Sequence, residues 1–223
     1  MDASSERIPT ANSRTWRPCY VFFHRLVLQK AGFMTLSPRF AQALTYACIA
    51  HSDQLRKGTE IPYVSHLLAV AGLVLEHGGD EDEAIAALLH DAVEDAGGQP
   101  RLANLRQRFG DRVAEIVVDC TDTDATPKPP WRARKETYIA HLASASASGR
   151  LVSCCDKLHN ARCIVADLRT QGDLVWTKFT GGRDGTLWYY TTILAEHQRL
   201  GVSQSLVEEL ARTVETMQSL AKS

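Results

Sequence analysis

The sequence predicts an all-α helical bundle with no sheet, on three observations. Apolar residues recur at spacings of three and four from Ser37 onward, helix start and stop signals bracket those stretches, and alternation of period two is nowhere sustained. A chain of 223 residues with 44% hydrophobic residues has enough apolar surface for one core. Residues 1–36 mix Ser, Thr, Pro and Arg without a period and read as a poorly ordered N-terminal extension; residues 37–223 read as the folded domain.

The elements follow in order. Ser37 and Pro38 supply an N-cap and a proline for the first helical turn, and Phe40, Leu44, Ala47 and His51 then form one stripe. The segment 54–61 interrupts that helix at Gly58. Pro62 opens a second helix through His66, Val70 and Val74, which stops at Gly78 and Gly79. Asp80 with Glu83 three residues later forms a capping box for a third helix, expected to run unbroken to Gly97 and Gly98. Further helices are expected at about 101–109, 111–121, 132–147, 151–169, 186–199 and 203–221, with the Ala/Ser run 143–148 at a helix end.

Charge and cysteine usage exclude several classes of function. The 25 basic residues nearly balance the 26 acidic ones, so no global excess holds the chain to a polyphosphate backbone or an anionic bilayer. Neither a nucleic-acid nor a membrane partner is expected, and no apolar run reaches the roughly 20 residues of a membrane span. Six cysteines without a C-x-x-C pair, and acidic residues Asp2 and Glu6 near the start, suit a reduced cytoplasm better than secretion. The sequence specifies no oligomeric state.

The segment ALLHDAVEDAGG (87–98) carries the chemistry. On a helix, His90, Asp91, Glu94 and Asp95 share an arc of about 140°, opposite Ile85, Leu88, Leu89 and Ala92. Three carboxylates and an imidazole at that spacing either face solvent or share a cation. An adjacent His and Asp suit a borderline metal such as manganese, iron or zinc. His51 faces inward from the first helix, as a core histidine or as a ligand. Asp156 and Asn160 share a face of the helix 151–169, one turn apart. One histidine, an H-D pair and a distant aspartate together compose a four-ligand site with open positions for water.

The order His51, His90-Asp91, Asp156 is similar to the H…HD…D pattern of the HD-domain metal phosphohydrolases. AHSDQLRKGTEIPYVSHLLAVAG (50–72), AIAALLHDAVEDAGG (84–98) and CCDKLHNARCIV (154–165) resemble, more narrowly, the hydrolase domain of RelA/SpoT-type enzymes and their small stand-alone relatives. The resemblance covers about 37–168 and implies an HD-type hydrolase domain that removes pyrophosphate from the 3′ position of ppGpp and pppGpp. It implies His51, His90, Asp91 and Asp156 as ligands of Mn2+ or another divalent metal. It also implies Glu94 and Asp95 as the catalytic carboxylates that orient and deprotonate water.

For the nucleotide, the resemblance implies Arg56, Lys57 and Asn160 as binding residues. Arg56 and Lys57 read alone are equally an exposed basic loop. His66, followed by Leu67 where the family usually has proline, is expected on the substrate side. Cys163 stands where the long enzymes carry a hydroxyl that meets the base, which leaves guanine and adenine both open. Other readings are an HD-fold hydrolase of a different nucleotide (an adenine alarmone, NADPH or a 5′-nucleotide) and a non-catalytic nucleotide sensor.

Overall fold

The computed structural model describes residues 35–123, 125 and 127–222; the expected extension lies outside them except for its last two residues. Among the described residues the elements are α1 (Pro38–Ala50), α2 (Val64–Glu76), α3 (Glu81–Leu89), α4 (Ala92–Ala96), α5 (Gly98–Phe109), α6 (Asp111–Cys120), α7 (Trp131–His141) and α8 (Ala147–Gln171). A 3-10 helix (Gly172–Lys178), α9 (Gly182–Arg199) and α10 (Gln204–Leu220) complete them. The only extended pairing among these residues is an isolated antiparallel bridge between Leu55 and Pro62.

The caps act where the sequence puts them. Ser37 accepts a hydrogen bond from the Arg39 amide at 3.2 Å, and Pro38 occupies the first turn of α1. Asp80 and Glu83 exchange both bonds of a capping box, at 3.0 Å and 2.7 Å, so two otherwise orphaned amides at the start of α3 are satisfied. Gly97 and Gly98, at φ +137° and +56°, turn the chain from α4 into α5 through conformations that a side chain would strain.

Two boundaries differ from expectation. The helix from Asp80 does not reach Gly97: it stops at Leu89, and α4 starts afresh at Ala92. His90 and Asp91 form the joint, where the His90 ring reaches back to the Ala87 carbonyl at 2.8 Å. The Ala/Ser run is likewise a turn between helices. Ser146 caps α8 by accepting from the Gly149 amide, and Asp119 binds both the Ser146 amide and its hydroxyl, at 2.9 Å and 2.6 Å. That anchor starts α8 four residues earlier than its apolar pattern suggests.

α8 is the axis of the bundle and packs against α2, α3, α6 and α10. Leu67 and Val70 from α2, Ile85 and Leu88 from α3, Val113 and Val117 from α6, and Val152 and Leu158 from α8 are completely buried. At about 1.5–3 kcal/mol for each large aliphatic side chain, this layer fixes how α2, α3 and α8 face one another. Those three helices, with the joint after α3, carry the residues described next.

A second histidine in the core sets an acid limit on stability. His197 of α9 is fully buried, and neither ring nitrogen has a hydrogen-bond partner. Burial, helped by the Lys157 charge, lowers its pKa from 6.5 to about 4. A folded-state pKa below the unfolded one gives stability that is complete above pH 6.5 and lost as pH falls toward 4. The loss by pH 4 amounts to roughly 3 kcal/mol. Denaturant unfolding of wild type and His197→Leu between pH 7 and 4.5 is expected to show a smaller decline in the variant; parallel declines would remove His197 as a cause.

Candidate active site

His66, His90 and Asp156 converge from α2, the joint after α3, and α8. One ligand atom from each lies within 4.8 Å of the others, and all three residues are buried. His66 Nε2 is 3.1 Å from Asp156 Oδ1 and 3.7 Å from Asp91 Oδ2. His90 Nε2 is 3.0 Å from Asp91 Oδ2 and 3.7 Å from Asp156 Oδ1. Two imidazole nitrogens and two carboxylate oxygens therefore point at one small volume.

Each ring is oriented from behind. His90 Nδ1 donates to the Ala87 carbonyl, which leaves Nε2 toward the cluster. His66 Nδ1 lies 2.8 Å from Nδ1 of His159, one turn beyond Cys155 on α8. Tyr63 donates to Asp91 Oδ2 at 2.5 Å; Lys157 and Asn160 bind the two oxygens of Asp156, each at 2.5 Å. The Lys157 ammonium also lies over the Tyr138 ring, at 5.1 Å, so its charge has both a carboxylate and an aromatic face.

The electrostatics show what the arrangement requires. Burial works to raise the Asp91 and Asp156 carboxyls, yet His90 beside the first and Lys157 beside the second hold both well below the usual carboxylate range. Burial works to lower His90, and the same two carboxylates reverse it and hold a proton on that ring. His66, where burial prevails, is lowered and stays neutral. Two ionised carboxylates thus face one neutral and one protonated imidazole with the Lys157 ammonium beside them, and a cation at the centre would take the place of the His90 proton.

His51 is not part of this group. It caps the end of α1, stacks on the Tyr63 ring with centroids 5.2 Å apart, and has Nδ1 2.5 Å from Gln54 Oε1. Its Nε2 is buried with no hydrogen-bond partner. The Gln54 amide continues to Asp95 Oδ2 at 2.9 Å, so His51 reaches the expected acid pair through one intermediary. His66, expected on the substrate side, stands instead among the potential ligands. The loop between α1 and α2 folds back at the Leu55–Pro62 bridge, and this return brings α2 to the centre.

Glu94 and Asp95 project from α4 beside the cluster. Glu94 pairs with Lys128 at 2.9 Å and lies 3.8 Å from Arg134; Lys128 is 3.9 Å from Asp95. Asp122 takes up Arg134 and Lys135, at 2.5 Å and 2.8 Å. A small polar cavity of about 180 Å³ is lined by Asp91, Glu94, Asp95, Asp156 and Lys157 among others. It shares Tyr63, Glu94, Lys135, Lys157 and Asn160 with a larger cleft of about 760 Å³, which continues past Arg56, Lys57 and Cys163 to Asp167 and Lys178. Arg56 donates to Asn160 Oδ1 at 2.8 Å and lies over the Tyr63 ring at 5.8 Å, which fixes its guanidinium at the mouth of the polar end.

Sequence reasoning missed Lys157, His159, Tyr63 and the Asp122 ion pairs. Lys157 and His159 flank an apolar residue on α8; besides neighbours on α8 itself, Lys157 meets Tyr138 of α7 and His159 meets His66 of α2. Tyr63 directly precedes α2, and the back-folded loop alone reveals its reach.

Comparison with known proteins locates the chain among relatives. A family model described as HD domain matches residues 43–187. The chain is 37% identical over 124 residues, 54% of its length, to guanosine-3′,5′-bis(diphosphate) 3′-pyrophosphohydrolase MESH1 of Xenopus tropicalis, of which it spans 66%. It is 33% identical over 145 residues to the protein of the same name from Drosophila melanogaster, covering 64% of this chain and 76% of that one. A solved structure described as a metazoan ortholog of SpoT that hydrolyses ppGpp superposes with TM-score 0.68 at 28% identity, over 82% of this chain and 97% of that one. A Listeria monocytogenes EGD-e structure superposes with TM-score 0.61 at 30% identity, over 71% and 99%.

Proposed function

The chain belongs to the HD-domain family, and on that premise we propose that it is a metal-dependent hydrolase that releases pyrophosphate from the 3′ position of ppGpp and pppGpp. The observation that carries this reading is the buried convergence of His66, His90 and Asp156, with Asp91 beside them, at the polar end of a cleft large enough for a nucleotide. The names of the relatives support the substrate.

A divalent cation fits the donor set. The Nε2 atoms of His66 and His90 are buried without hydrogen-bond partners and face anionic oxygens. His66, His90, Asp91 and Asp156 would hold the ion, and two nitrogens with carboxylate oxygens suit manganese among the borderline metals. Bound there, it supplies Lewis acidity toward a phosphate oxygen and makes a water more acidic. His51, whose Nε2 is likewise buried without a hydrogen-bond partner, is a further candidate ligand of the same ion and also meets Asp95 through Gln54.

The chain's own residues supply the rest. Glu94 and Asp95 orient a water and accept its proton as its oxygen adds to the phosphorus bonded to O3′. The P–O3′ bond breaks, and O3′ takes up a proton from solvent to give GDP or GTP beside free pyrophosphate. Lys157, Lys135 and Arg134 offer positive charge to the departing pyrophosphate. Arg56 presents a planar face to the base, Lys57 a charge to phosphate, and Asn160 ties the nucleoside wall to Asp156. The reaction belongs in the cytoplasm, where nucleotide substrates are made.

Purified protein supplied with manganese, magnesium, zinc or no metal is expected to release pyrophosphate from ppGpp with manganese and not without metal. A panel including NADPH and 5′-nucleotides tests the wider phosphohydrolase reading. Stoichiometric binding of ppGpp without product would make the chain a sensor.

A further inference from the structure

We infer that Asp167, with Lys178, reads the Watson–Crick edge of the base and makes guanine the preferred purine. The inference rests on the hydrolase reading and adds what that reading leaves open, which residues select the base.

Asp156, Asn160, Cys163 and Asp167 fall at intervals of four, three and four along α8. At 100° per residue they share an arc of about 60°, and the first and last are separated by about 16 Å of helix. This stripe runs from the metal cluster along one wall of the cleft, in the direction a nucleoside extends from its 3′-phosphate. Arg56, held by Asn160 and Tyr63, forms the facing plane. Asp167 and Lys178 line the cleft at the far end and form an ion pair of 3.0 Å.

The pair is built into the fold. Lys178 ends the 3-10 helix that follows α8, and its side chain is largely buried. Its methylenes run over Gly58, where a Cβ would come within 3.1 Å of the Lys178 Cδ. Gly58, at φ +71°, therefore serves both the turn after Arg56 and Lys57 and the passage of the lysine stem. The ammonium is thereby directed to Asp167 between two walls of the cleft.

The chemistry matches guanine. Its edge presents two adjacent donors, N1–H and the 2-amino group, next to the O6 acceptor. A carboxylate accepts from both donors at once, and an adjacent ammonium donates to O6. Adenine offers the carboxylate one amino group and sets the N1 lone pair beside it. Cys163, a weak partner, then need not supply the base discrimination.

The test compares kcat/KM for guanine, hypoxanthine, xanthine and adenine nucleotides carrying the same 3′,5′-bis(diphosphate). Wild type is expected to prefer guanine over hypoxanthine, which lacks the 2-amino group, by about tenfold to a hundredfold. Asp167→Ala is expected to bring that ratio close to one, mainly through KM for the guanine substrate. Asp167→Asn, which keeps the shape, is expected to lose the guanine preference as well and to favour xanthine, whose 2-oxo group the carboxamide can donate to. An unchanged guanine-to-hypoxanthine ratio in both variants, with turnover intact, overturns the base-reading role alone. Absence of turnover on every substrate by wild type overturns the hydrolase reading and this inference with it.

Discussion

His90→Ala is expected to lose manganese binding and to lower kcat/KM for ppGpp on the order of a thousandfold or more, and the same loss in His66→Ala or His51→Ala identifies the histidine that completes the ligand set. Lewis-acid stabilisation contributes several kcal/mol and each 1.36 kcal/mol is a factor of ten, so removing a ligand forfeits about three powers of ten. His66 Nε2 is 3.1 Å from Asp156 Oδ1, and its ring is supported from behind by His159. His51 spends its Nδ1 on Gln54 and reaches Asp95 through that amide. Its Nε2, buried without a hydrogen-bond partner, leaves it able to ligate; as a supporting residue alone its loss is expected to cost only about tenfold to a hundredfold in activity. Metal content after dialysis, measured beside turnover, separates the two histidines. Metal lost from His51→Ala and retained by His66→Ala would make His51 the ligand and His66 the supporting residue.

Why these two histidines were hard to tell apart in the sequence has a physical answer. Both lie on inward helix faces, and periodicity gives a direction around a helix but no distance between helices. The deciding feature is the return of the 51–63 loop, closed by the Arg56 amide to the Ile61 carbonyl at 2.8 Å and the Tyr63 amide to the Gln54 carbonyl at 2.9 Å. No residue type in that loop announces which neighbour α2 will meet. The break at His90 and Asp91 was hidden for a similar reason, since neither glycine nor proline marks it. His90 bonding to the Ala87 carbonyl competes with helix continuation there. Signals contained within a few residues were legible: the Ser37 and Asp80 caps, the Gly97–Gly98 exit, and the one-turn spacing of Asp156 and Asn160. Groups assembled across separate helices, such as His66 and His90 with Asp156, were not, nor were the ion pairs of Asp122 in the loop after α6 with Arg134 and Lys135 on α7.

Glu94→Gln is expected to keep the metal and the fold while lowering kcat about a hundredfold to ten-thousandfold, the range associated with a positioned general base. Glu94 touches no atom of the His66, His90 and Asp156 group, and its carboxylate is held by Lys128 at 2.9 Å and by the Asp122 amide at 3.4 Å. The amide isostere preserves volume and can still accept from Lys128, but it takes no proton from water. Lys128 has a second consequence. Its ammonium, 2.9 Å from Glu94 and 3.9 Å from Asp95, ties both carboxylates to one cation, so Lys128→Ala is expected to loosen their placement and to lower kcat by a smaller factor than Glu94→Gln. The pair of variants thus separates two jobs of one ion pair: Glu94→Gln removes the base, while Lys128→Ala leaves the base in place and removes what positions it. A Glu94→Gln enzyme with full kcat and bound manganese would assign proton removal to Asp95 alone, which Gln54 holds from the opposite side.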